Sequence, residues 1–104
     1  MELNSIVIVS LHEPKERVWG QLLGLTQAGI TVHGIDMNSF DDFVRQLRNP
    51  EEGSVGLATI FYPMHRVERI ALDEPAGELP SLAQTFQRQV GRSLDDYLAG
   101  LAND

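Results

Sequence analysis

Cysteine is absent from the 104-residue chain. That excludes a disulfide framework, a thiol nucleophile and a thiolate metal site, so stability must come from packing, as in a reducing compartment. Basic charge is scarce: eight Lys and Arg stand against fifteen Asp and Glu, for a net charge of −7. Residues 1–50 hold four basic and six acidic side chains, and residues 51–104 four and nine, so neither half is a basic domain. This balance opposes the sequence-independent phosphate attraction behind most nucleic-acid binding. Long apolar runs are missing as well. The longest, Ile6 to Val9, is far short of a membrane span, and Met1-Glu2-Leu3-Asn4 lacks the positive start and apolar stretch of a secretory signal. The expectation is a soluble, cytoplasmic protein with no membrane partner.

What is present suits one core. Apolar residues make up 42% of the chain, and halving it would leave two units too small to bury much. Residues 1–104 therefore read as a single domain. Ser5 to Leu11 is rich in Ile and Val on both alternating sets and reads as a strand buried on both faces, ending at the turn His12-Glu13-Pro14-Lys15. Ile30 to Ile35, Gly56 to Tyr62 and Val67 to Leu72 read as further strands, the third stopped by Pro63 and the last by Asp73-Glu74-Pro75.

Three helices announce themselves by their caps. Ser39 with Asp42 has capping-box spacing, and Phe40, Phe43, Val44 and Leu47 recur on one helical face, predicting a helix over 39–48. Ser81 with Gln84 repeats the spacing ahead of Leu82, Phe86 and Val90, with Gly91 suited to the left-handed residue past the end. Ser93 to Asp96 opens a last helix with Leu94, Tyr97, Leu98 and Leu101 on one side. Residues 80–104 thus form a helical tail, set off from a β-rich front of 1–73 by Asp73 to Pro80.

The fold class turns on Arg17 to Leu25. As a helix it would place Val18, Leu22 and Leu25 on one side; as a strand it alternates Val18, Gly20, Leu22 and Gly24 against Trp19, Gln21, Leu23 and Leu25. Two glycines cost a helix about 1 kcal/mol each relative to alanine, whereas in a bent strand they permit the bend. The strand is favoured. The class expected is mainly β with α additions: a small five-stranded barrel, an inserted helix and a helical tail.

With that strand, and with Tyr62-Pro63-Met64-His65-Arg66-Val67-Glu68-Arg69-Ile70 as the closing pair, residues of about 5–73 resemble the small SH3-like barrel of the Sm-like and Hfq family. Members of that family bind RNA, and the loop between their second and third strands carries an Asp and an Asn that help hold a base. Here that loop is Thr26-Gln27-Ala28-Gly29, so nucleic acid is not the partner expected. If Arg17 to Gln27 were helical, the order strand, helix, strand, helix, strand, strand would look like an α+β ACT-type domain. Its small-molecule loop would then fall at His12-Glu13-Pro14.

Catalytic constellations are not apparent. His12, His33 and His65 are scattered, with no helical His–Glu–His spacing. No nucleophile elbow or phosphate loop occurs. Asp41-Asp42 and Asp95-Asp96 sit in first helical turns, where capping accounts for them. No metal or cofactor is expected. Trp19, Phe40, Phe43, Phe61 and Phe86 follow element periodicity and are core candidates. The run Tyr62, Met64, His65 and Arg66, with neighbouring Arg69, differs. It gathers an aromatic, a Met and Arg at a turn stiffened by Pro63, types enriched at protein interfaces. The expected function is a non-enzymatic protein-interaction, assembly or regulatory module that meets a protein partner or its own copies. Sm-like RNA binding and ACT-like metabolite sensing are the alternatives.

Overall fold

A computed structural model of the protein describes residues 1–49 and 56–102, Ala102 by its backbone only. Five antiparallel strands, β1 (Ile6–Leu11), β2 (Glu16–Leu25), β3 (Gly29–Asp36), β4 (Ala58–Pro63) and β5 (Val67–Leu72), form one sheet in the order β4-β3-β2-β1-β5. Three helices join it: α1 (Phe40–Arg48), α2 (Leu82–Val90) and α3 (Leu94–Ala102). Arg17 to Leu25 is strand throughout, which removes the ACT-like alternative. The sheet is not closed into a barrel, because β4 and β5 each pair on one side only.

The bend expected at Gly20 is built from two glycines. Gly20 pairs with Gly34 across β2 and β3, and a Cβ on Gly20 would lie 2.4 Å from the His33 carbonyl oxygen and 2.5 Å from the Gly34 Cα. Only a glycine pair lets the two backbones approach this closely. The sheet covers its own inner face. Val7, Val9 and Leu11 of β1, Val18 and Leu22 of β2, and Ile30 and Val32 of β3 are buried together, with Tyr62, Met64, Val67 and Ile70 packed alongside. Among the described residues, none of α1, α2 or α3 belongs to this cluster.

The outer face is covered by the helices. Trp19 and Ile35 meet Phe40, Phe43 and Val44 of α1, Phe86 of α2 and Leu94 of α3. Phe40 stands edge-on to Trp19 at 5.0 Å between ring centres, and Phe43 stacks on Phe86 at 6.0 Å. Tyr97 closes the set at 5.8 Å from Phe43 and 5.7 Å from Phe86.

One carboxylate fastens tail to sheet. Just past β5, Asp73 accepts from the Trp19 indole Nε1 at 3.0 Å and from the backbone N–H groups of Leu82 and Ala83 at 2.8 and 2.9 Å. The latter are first-turn donors of α2, which have no partner within the helix. The Ser81–Gln84 capping box forms as expected, at 3.0 and 2.9 Å, and Gly91 ends α2 with φ of 88°. Ser93 accepts from the Asp96 N–H at 3.1 Å.

Besides the closed barrel, two local sequence expectations fail. Ser39 precedes α1 but its side chain caps nothing; Asp36 instead accepts from the Asn38 N–H at 2.8 Å, starting a short 3-10 turn over Met37–Ser39 that runs into the helix. Phe61 is 52% exposed rather than core, because the helices do not reach its end of the outer face. Pro50, expected to close α1, lies outside the described residues, as do Asn103 and Asp104 of the tail.

Candidate interaction surface

Pro63 ends β4, and Met64–Arg66 forms one 3-10 turn leading into β5. The Met64 N–H donates to the Ala28 carbonyl at 2.9 Å, pinning this turn to the one joining β2 and β3. Tyr62 pairs with Ile30 in the β3–β4 register and faces the inner cluster half-buried, and Met64 packs against the same cluster. His65 is exposed.

Arg66 is committed inward. Its Nε donates to the His12 carbonyl at 3.0 Å, and its Nη2 to the Pro14 carbonyl at 3.0 Å and the Glu16 carboxylate at 3.2 Å. The His12 N–H returns a bond to the Arg66 carbonyl at 3.0 Å. The turn carrying the cis Glu13–Pro14 peptide is thus tied to the β4–β5 turn by one guanidinium. The five residues singled out in the sequence do not share one surface. Tyr62, Met64, His65 and Arg66 stay together, while Arg69 pairs with Ser10 on the outer face of the sheet.

The phenol of Tyr62 is held above its ordinary pKa of 10.0 by burial first and by the nearby Glu16 carboxylate second, with Arg66 opposing. It stays neutral in the physiological range, a hydroxyl beside the rim of the inner cluster. His33 and Asp36, and His65 and Glu68, form no bond with each other, and among the described residues no three His, Asp or Glu side chains gather as metal ligands.

The feature missed in the sequence is the β4 edge. Ala58-Thr59-Ile60-Phe61-Tyr62-Pro63 contains no charged residue, Ile60 is 42% exposed and Phe61 52%. Leu23 and Leu25, at the end of β2, add further exposed apolar surface. Edge strands in soluble proteins are ordinarily protected by charge, by a bulge or by a covering element. The signal was available as six uncharged residues in a row, yet the alternation that marks a strand does not say whether it lies at the sheet's centre or its edge. At the other edge, β5 carries Glu68 and Arg69 and ends in the exposed Leu72. Compared with protein-family models, with curated proteins and with solved structures, the chain matches none of them.

Proposed function

We propose that this chain is a non-enzymatic assembly module with an open, Sm-like five-stranded sheet, acting in the cytoplasm, in which the β4 edge of one copy joins the β5 edge of the next. The observation that carries the reading is the uncharged, apolar β4 edge, with Ile60 and Phe61 exposed and, among the described residues, no helix packed on them. An open row of backbone donors and acceptors beside exposed apolar side chains is matched best by another strand. The same sheet offers that strand, since β5 is also six residues long and open on its far side. Supporting the Sm-like comparison are the five antiparallel strands and the closing pair around Pro63. Tyr62, Met64 and His65 lie at the end of this edge and would form the rim of the joint, with Arg66 holding its turn in shape.

Light scattering coupled to size exclusion tests the reading. The expected result is a discrete multimer for the parent chain and a monomer for Phe61→Lys and Ile60→Lys, since a lysine on an edge strand opposes strand pairing. Both positions are exposed, so the thermal melt of the dissociated variants should stay cooperative. A parent chain that remains monomeric at high concentration, or a multimer untouched by either lysine, overturns the proposal.

A further inference from the structure

We infer that the outer face of the sheet at Ser10 carries a site for a phosphate group, held between Arg17 and Arg69. Strand register brings these residues together. Ser10 of β1 pairs with Arg17 of β2 on one side and with Arg69 of β5 on the other, so the three form a row across the sheet with the serine in the middle. At the ordinary spacing of neighbouring strands the two arginine backbones stand about 10 Å apart, within reach of a common point for two long side chains. A groove of about 500 Å³ opens over this row, and Lys15 adds a third cation to its wall. Three of the chain's eight basic residues therefore line one depression in a protein of net charge −7.

Structure alone does not account for the arrangement. Arg45 and Arg66 are each bound to a carboxylate, whereas Arg17 and Arg69 are exposed and make no hydrogen bond or ion pair with any described residue. Of the two acids at the groove, Glu16 is held by Arg66 and Glu68 is the extra residue of the β5 bulge, between the paired Arg69 and Val67. The serine side chain is small enough to leave space above it, and its hydroxyl supplies a neutral donor at the floor. Two planar guanidiniums, an ammonium and a hydroxyl lining one groove suit a tetrahedral oxyanion, which has more acceptor oxygens than a carboxylate can present. A second depression of about 340 Å³ continues past Arg17 to Met37 and Asn38, giving the substituent of a phosphate ester a place to run. The site borders the proposed joint, since Arg69 lies on β5, but it rests on side chains of the outer face rather than on strand pairing, and its test reads ligand binding rather than multimer formation.

The test is an NMR titration of the full-length, nitrogen-labelled chain with sodium phosphate, against sodium chloride at matched ionic strength. Saturable shifts are expected at Ser10, Arg17 and Arg69 with phosphate alone. Apparent Kd should rise at least tenfold in Arg17→Gln and in Arg69→Gln, should stay near the parent value in Arg69→Lys and in the distant Arg88→Gln, and should fall in Glu68→Gln. Adenosine monophosphate and a phosphoserine peptide, titrated in the same way, separate a nucleotide source from a protein-borne one by which binds more tightly; equal binding of both marks the phosphate itself as what is recognised. Shifts that chloride reproduces, that fail to saturate, or that survive unchanged in both glutamine variants overturn the inference. Because the substituted side chains are exposed, unchanged spectra away from the groove verify that each variant is folded.

Discussion

The two faces of the sheet are buried by different means. On the inner face a row of aliphatic residues, Val7, Val9 and Leu11 with Val18, Leu22, Ile30 and Val32, is sealed by curvature. On the outer face an aromatic group, Trp19 with Phe40, Phe43, Phe86 and Tyr97, is sealed by helices drawn from distant parts of the chain. Small branched side chains fill the narrow space inside a tight bend, while large rings span the wider gap between a sheet and helices lying across it. Neither layer is closed without the other, since Val18 and Trp19 are adjacent residues of one strand, facing opposite ways. The tail is therefore part of the core's wall.

The sharpest way to break that comparison is to empty the outer layer. Phe86 is fully buried and meets Trp19, Phe43 and Tyr97, so Phe86→Ala should lower stability by about 3–5 kcal/mol. Hydrogen exchange should show the amides of Val7 and Val9 losing protection in step with those of α2. Persistent protection in β1 after loss of α2 would instead make the inner layer a separate folding unit.

A smaller effect is expected at the fastening between the layers. Asp73→Ala leaves the Trp19 indole N–H and two first-turn donors of α2 without their acceptor, and bonds to a charged group contribute about 1.5–3 kcal/mol. Chemical denaturation should show a loss of about 2 kcal/mol, and tryptophan fluorescence should report a wetter indole. An unchanged midpoint would mean that ring packing alone holds the tail.

The smallest effect is confined to alkaline solution and compares the two tyrosines, one at each layer. Tyr62 at the inner cluster and Tyr97 at the outer both have phenols held above 10.0, chiefly by burial. In the unfolded chain each phenol ionises at its lower, ordinary pKa, so the stabilisation is whole below about 10 and is lost as pH rises through the folded-state value. Denaturation midpoints should therefore fall as pH rises above 10, and by less in Tyr62→Phe and in Tyr97→Phe. A parent protein with no alkaline fall, or phenylalanine variants that follow it unchanged, would discount burial as the cause.

Local features were legible in the sequence, and features joining distant residues were not. The strands followed from β-branched runs, and the strand at Arg17 to Leu25 from the energetics of its glycines. The caps at Ser81 and Ser93 close within three residues, so spacing alone revealed them. Ser39 had the same spacing but lost to Asp36, whose Asx-type bond to Asn38 begins a tighter turn first. Phe61 fits strand alternation equally well whether covered or bare; what decides is how far the helices extend. Of the candidate site, the Tyr62–Arg66 turn was readable from Pro63, but the anchoring of Arg66 was not, because its acceptors lie 50 to 54 residues earlier. The Arg17–Ser10–Arg69 row exists only through register, which no local pattern encodes.

Asp73 also sets an order of events. Its bond to Trp19 joins residues 54 apart, while its bonds to α2 span only nine and ten. The short loop is cheap to close, but a nine-residue helix is marginal in water on its own, so an early α2 would unravel as fast as it formed. Once β5 has aligned with β1 and the carboxylate stands beside the indole, the helix has both a fixed acceptor for its first donors and an aromatic surface to lie on. The C-terminal segment is thereby expected to dock late, after strand pairing has set the acceptor and the aromatic surface it needs.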